Sequence, residues 1–199
     1  MSESLAAKKV EIKGIVQGVG FRPFIFQLAG RHHLTGRVSN TSAGVSIHVE
    51  GSATDIAGFL EDIEKHAPPL SRITEISVEP NSVEGFRTFS IAASFTDLHA
   101  SALISPDVSI CDDCLHELFD PKDRRFRYPF INCTNCGPRY TIIHRVPYDR
   151  PNTSMKEFIM CLSARRNTMT RTTVDFTPSP MPARPAAPAP PFMMRTDRK

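Results

Sequence analysis

Gly14-Ile-Val-Gln-Gly-Val-Gly-Phe-Arg22 is the stretch that decides the fold. Before it, Val10-Glu-Ile-Lys13 alternates apolar and polar residues and reads as a strand. After it, Arg22-Pro-Phe-Ile-Phe-Gln-Leu-Ala-Gly-Arg-His-His33 reads as a helix, with Pro23 suited to the first turn and Phe24, Leu28 and Phe21 supplying a spaced apolar face. Between strand and helix, Gly18 and Gly20 let the backbone turn so that successive N–H groups converge on one point, a concave nest for an anion. The helix adds the positive end of its dipole, and Arg22 can make bidentate contact with a phosphate or carboxylate. On glycine count alone, a tight loop with a surface arginine explains the stretch equally well.

Working outward, Thr35–Asn40 and Val45–Glu50 form a hairpin turned at Thr41-Ser-Ala-Gly44. Thr54–His66 is a second helix with Ile56, Phe59, Leu60 and Ile63 on one side, and Pro68-Pro69 ends it. Ile73–Val78 and Phe86–Ile91 are the last strands. The order across residues 5–95 is βαββαβ with an extra strand, which predicts an α+β sandwich with two helices on one face of an antiparallel sheet. His32, His33 and His48 read as structural or surface residues. Glu50 alternates with the core positions and reads as solvated.

Composition bounds the class. The chain has 199 residues, 40% of them hydrophobic and 23% charged, as in soluble globular proteins. No run approaches the roughly 20 apolar residues of a membrane span. Residues 1–9 carry an early acid and no apolar h-region, so no secretory signal is expected and a cytoplasmic location is. The net charge of +3 is misleading, because residues 162–199 carry seven Lys/Arg against two Asp/Glu and leave the remainder slightly acidic. The charge of the folded part thus gives no support to nucleic-acid binding.

All five cysteines lie between 105 and 161. Cys111-Asp-Asp-Cys114 and Cys133-Thr-Asn-Cys136 are two CxxC turns separated by 18 residues, the spacing of a four-cysteine structural zinc site in a module spanning 105–150. A thioredoxin-like redox pair would need one CxxC in a βαβ setting, not two in a polar segment. With four thiolates as ligands no coordination position stays open for water, so the zinc is expected to be structural, and His116 and His144 are not needed as ligands. The run Lys122–Arg127 holds four cations and Asp123 and reads as a solvated strand or turn.

Val16-Gln-Gly-Val-Gly-Phe-Arg22, Gly36-Arg-Val-Ser-Asn40 and Gly44-Val-Ser-Ile-His-Val-Glu-Gly51 together closely resemble the acylphosphatase signature, over roughly residues 8–92. The resemblance implies a ferredoxin-like βαββαβ fold in which Gln17, Gly18, Val19, Gly20, Phe21 and Arg22 cradle a phosphoryl group. It also implies that Arg22 holds that group and that Asn40 orients the attacking water. An acyl phosphate is a reactive mixed anhydride, so holding the phosphate and placing a water in line suffices, without a metal or a covalent nucleophile.

Cys161 follows Cys136 after 24 residues and opens no complete motif. The acylphosphatase-like unit, the paired CxxC turns, Phe119-Asp-Pro-Lys-Asp-Arg-Arg-Phe126 and Cys136-Gly-Pro-Arg-Tyr140 resemble the N-terminal part of the NiFe-hydrogenase maturation carbamoyltransferases, the HypF family. There a second four-cysteine module follows after 24 residues, so 151–161 reads as its start. Ala164, Ala183 and Ala186 stand where its other ligands belong. A one-base shift of the reading frame permits cysteine codons there, which predicts that residues 162–199 are out-of-frame translation after a base lost near the Cys161 codon. A genuine Pro/Arg-rich tail is the competing reading, and on either account the tail is disordered and carries no site.

The family resemblance implies carbamoyl phosphate as substrate, ATP-dependent formation of a carbamoyl adenylate, and carbamoyl transfer to a cysteine of the partner HypE. The later steps are expected of domains beyond the zinc modules, and acyl or carbamoyl phosphate hydrolysis of this one. A free-standing acylphosphatase with a zinc appendage, and a non-catalytic phosphate-binding or zinc-mediated interaction module, are the alternatives. Nucleic-acid binding through the zinc module is disfavoured, since residues 105–150 lack a dense aromatic-basic face.

Overall fold

The computed structural model describes residues 5–95, 102–123, 125–128, 131, 136 and 139–157. Cys133, for which the sequence suggests a fourth ligand, and residues 158–199, which hold Cys161 of the expected second module and the tail 162–199 expected to be disordered, lie outside the described residues.

The first strand, β1 (Ala6–Ile15), leads through the glycine loop into α1 (Phe21–Arg31). The hairpin β2 (Thr35–Asn40) and β3 (Gly44–Gly51) follows, then α2 (Ala53–Lys65), β4 (Arg72–Pro80) and the short β5 (Phe89–Ile91). The sheet order is β4-β1-β3-β2-β5. β1 pairs antiparallel with β3 and β4, and β2 pairs antiparallel with β3. β5 runs parallel to β2, with Gly36 opposite Phe89 and Val38 opposite Ile91. The sheet is therefore mixed, which corrects the expectation of a purely antiparallel one. A strand entering from the far side of the sheet after a long excursion is free to run parallel, whereas a tight hairpin is not.

Val10, Ile12, Val38, Val45, Ile47 and Val49 alternate onto the helix-covered face of the sheet. They meet Phe21, Ile25, Leu28 and Ala29 of α1 and Ile56, Phe59 and Ile63 of α2 in one continuous core. Burying each large side chain contributes about 1.5–3 kcal/mol, so this core by itself can hold the domain. Ser52 caps α2, accepting from the Asp55 amide at 3.0 Å. The helices are tied at one end by His32, whose Nε2 lies 2.9 Å from Asp62 Oδ2, a structural role as expected. That contact, with His66 and Lys65 nearby, holds the Asp62 carboxyl below its ordinary value.

Glu50 overturns its sequence reading. It is 1% exposed, on the opposite face of β3 from the core, under the segment that follows β4. Its carboxylate accepts from the amides of Glu84, Gly85 and Phe86 and meets His48 Nε2 at 2.9 Å. Asn81 Nδ2 lies 3.0 Å from His48 Nδ1 on the other side of the ring. Burial opposes ionisation of Glu50, but the amides and His48 outweigh it and hold the carboxyl below its ordinary value. The same contacts bend residues 81–88 around Glu50, so β5 begins at Phe89 and not at Phe86. Alternation marks the face a residue lies on. It does not reveal what later chain covers that face.

The second region is sparse. Its helix α3 (Asp112–Phe119) starts directly after Cys111, with Asp112 and Asp113 at its positive end. Cys114, Ile131 and Cys136 are buried together, against Ile110, Leu118 and Tyr128. Arg125, read as solvated, is buried and ion-paired with Glu117 of α3. Beyond it, three short 3-10 turns at Tyr140–Ile142, Arg150–Asn152 and Ser154–Glu157 frame a loop closed by an isolated bridge between Ile143 and Thr153. None of the helices among the described residues is long and apolar enough to cross a membrane.

Candidate functional site

The glycine loop has the conformation its residues allow. Gly18 and Gly20 lie at φ 74° and 76°, in the left-handed region, and Gly20 is the N-cap of α1. The first amides of α1 have no carbonyl to meet within the helix, and they open toward this loop. Val16, Val19 and Phe21 are buried and anchor the loop in the core, so the backbone between them is held in place.

Gln17 is the brace. It is 1% exposed, and its Nε2 donates to the carbonyls of Thr41 and Gly44 at 2.7 and 2.8 Å. Those two residues close the β2–β3 turn, so one amide side chain ties the loop to the hairpin that carries Asn40. Asn40 itself is 1% exposed at the end of β2. Its main-chain carbonyl accepts from the Phe95 amide at 2.9 Å, just past β5. Arg22, on the first turn of α1, and Asn40, on the strand beside it, reach a common partner.

The structure adds a third party. Arg22 Nη2 donates to Asp149 Oδ1 at 2.9 Å and to the Tyr148 carbonyl at 3.4 Å. Asn40 Nδ2 donates to the same carbonyl at 3.3 Å. The Tyr148 amide donates to Gln17 Oε1 at 2.8 Å. One oxygen therefore lies where the guanidinium and the amide side chain converge, and it belongs to a residue 126 positions beyond Arg22. The loop presenting it is braced internally. Asn152 Nδ2 donates to the Pro147 carbonyl, Arg145 Nε donates to Asn152 Oδ1, each at 2.7 Å, and Val146-Pro147 is cis. Burial pushes the Tyr148 phenol above its ordinary value, so it stays protonated.

Asn40 Oδ1 is buried and has no hydrogen-bond partner among the described residues. An acceptor of that kind, next to an arginine and an amide-lined loop, is placed to accept a hydrogen bond from a bound water. Sequence reasoning missed Tyr148 and Asp149. Their short segment, Pro147-Tyr-Asp-Arg-Pro151, has no spacing that points to a loop so far upstream.

Cys111, Cys114 and Cys136 bring their sulfur atoms within 4.8 Å of one another, and Cys114 Sγ lies 3.7 Å from Cys136 Sγ. A tetrahedral zinc with thiolates at about 2.3 Å sets neighbouring sulfurs about 3.8 Å apart. The donor set fits zinc, and the buried surroundings fit a structural ion. The sulfurs would hold it between the start of α3 and the turn at Cys136.

Residues 8–91 match the acylphosphatase family, and residues 110–143 match the HypF finger. The chain is 48% identical over 146 residues to a probable carbamoyltransferase HypF of Methanocaldococcus jannaschii, covering 72% of this chain and 19% of that protein. It is 40% identical over 88 residues to an acylphosphatase of Thermotoga petrophila, covering 44% of this chain and 97% of that enzyme. A crystal structure of full-length HypF in a phosphate- and nucleotide-bound form superposes with a TM-score of 0.85 at 47% identity, covering 90% of this chain and 24% of that one. The chain thus spans about a fifth of the length of the HypF relative. Its sheet, its glycine loop and its cysteine cluster agree with these matches, and the chain belongs to the HypF family, of which it carries the acylphosphatase-like domain and the finger.

Proposed function

We propose that residues 5–95 bind and hydrolyse an acyl phosphate, carbamoyl phosphate above all, as the entry step of carbamoyl transfer in NiFe-hydrogenase maturation. The observation that carries this reading is the convergence of Arg22 and Asn40 on one point beside the opening of α1, with Asn40 Oδ1 left unpartnered there. Gly18 to Arg22 supply amides and a guanidinium for the phosphoryl oxygens, neutralising charge that would otherwise repel a nucleophile. Asn40 Oδ1 accepts from a water and aims its oxygen at phosphorus. The water oxygen bonds to phosphorus, and the bond from phosphorus to the acyl oxygen breaks with its electron pair on that oxygen. The products are carbamate and inorganic phosphate, which keeps both water protons.

The finger, 105–150, serves as a zinc-held module, with Cys133 as the fourth ligand beside Cys111, Cys114 and Cys136. Activation of the carbamoyl group with ATP and its delivery to HypE fall to regions of the relatives outside the span of this chain, in the cytoplasm.

Phosphate release from carbamoyl phosphate and benzoyl phosphate tests the reading. Arg22→Ala should lower kcat/KM by about 100- to 1,000-fold, as for removal of an oxyanion donor. Asn40→Ala should lower kcat with a smaller change in KM. Release no faster than in buffer, or an Arg22→Ala protein as active as the wild type, would leave a non-catalytic phosphate-binding module in its place.

A further inference from the structure

We propose that Asp149, supplied by the loop at the far end of the finger module, is a specificity-determining residue of the acyl-phosphate site, selecting an acyl group that carries N–H donors. The inference rests on the function proposed above. A carboxylate beside the arginine that is to hold a dianionic phosphate repels that ligand, so phosphate binding does not explain its presence. Its geometry divides the two oxygens between two tasks. Oδ1 holds Arg22 Nη2 at 2.9 Å, and all the hydrogen bonds described for Arg22 leave from Nη2, so Nε and Nη1 remain to face a phosphate. Oδ2 meets no donor among the described residues, on a side chain 28% exposed at the edge of the site.

The Tyr148 carbonyl has its lone pairs directed at Arg22 and Asn40, and Asn40 Oδ1 is taken up by the attacking water, so Asp149 Oδ2 is an acceptor left for the acyl group. Carbamoyl phosphate presents an amino group that can donate to it. Acetyl phosphate presents a methyl group, which would cover the carboxylate oxygen without pairing it, and a site built to meet a donor rejects an analogue lacking one. The Thermotoga acylphosphatase is aligned over nearly its whole length within 88 residues, so it has no counterpart of this loop. The loop is what this chain adds to the bare acylphosphatase site.

The experiment compares kcat/KM for carbamoyl phosphate and acetyl phosphate on the same preparations of the full chain, wild type, Asp149→Ala and Asp149→Asn. The ratio of the two values is independent of the fraction of folded protein. The wild type should prefer carbamoyl phosphate. Asp149→Ala should lower the ratio about tenfold or more, the size of a hydrogen bond to a charged group. Asp149→Asn keeps an acceptor oxygen and should lie between the two. A wild type without preference, or an Asp149→Ala protein whose ratio stays at the wild-type value, overturns the proposal. Equal losses for both substrates would make Asp149 a prop for Arg22 alone, and equal gains a plug. If the wild type and Arg22→Ala both release no phosphate from either compound, the proposed function itself fails, and that result is distinct from an unchanged ratio.

Discussion

The acylphosphatase-like domain and the finger solve the problem of staying folded in opposite ways. In the domain, residues from four strands and two helices close one core, and the buried polar groups of Glu50 and Gln17 are met by amides or carbonyls. In the finger, the buried cluster among the described residues consists of Cys114, Ile131 and Cys136, two of them with sulfurs 3.7 Å apart. So small an apolar cluster cannot offset the backbone entropy of ordering the segment. A bound ion can. The lesson is that the first region's fold is a property of its sequence, while that of the second is a property of sequence plus metal.

The sharpest test of that difference is metal removal. Structural zinc contributes on the order of 10–16 kcal/mol in small fingers, so chelation should abolish amide-exchange protection around α3 and leave that of β1, β3 and α2 in place. Loss of protection in both regions together would break the comparison. Next in size, Phe59→Ala removes a fully buried ring from the first core and should cost about 3–5 kcal/mol, read as a lower urea midpoint for the domain. Zinc content measured on the same sample should not change.

Glu50 gives a pH signature confined to the domain. Its carboxyl is held below the ordinary value of 4.5, so its stabilising contribution is present above that value and is lost as pH falls through the depressed one. Between pH 7 and pH 3 the wild-type domain should lose stability more steeply than Glu50→Gln, which lacks this titration and should start from a lower value at pH 7. Parallel melting curves would contradict the amide cradle. The smallest effect is expected at the cap of α2, where Ser52→Ala removes the bond to the Asp55 amide and should cost about 1 kcal/mol in thermal melts.

Local signals carried most of the fold. Thr35–Asn40 is a strand over the span its residues suggest, and Ile56, Phe59 and Ile63 are buried at helical spacing. The glycine loop was legible because only glycine adopts a φ near +75° without cost, so Gly18 and Gly20 announce the turn. The CxxC pairs were legible because thiolate ligation requires that spacing. The direction of β5, the cradle over Glu50 and the burial of Arg125 were not legible, since each depends on which distant segment comes to lie against a given face.

The sequence alone thus determined the strand and helix order, the loop that opens α1 and the metal-type cysteines. These follow from short-range sterics, periodicity and ligand spacing. The tertiary structure decided that Tyr148 and Asp149 reach the same point from the far end of the finger module. No local pattern encodes that meeting, because it is set by how two separately organised regions are brought together and which groups then have to satisfy one another's hydrogen bonds.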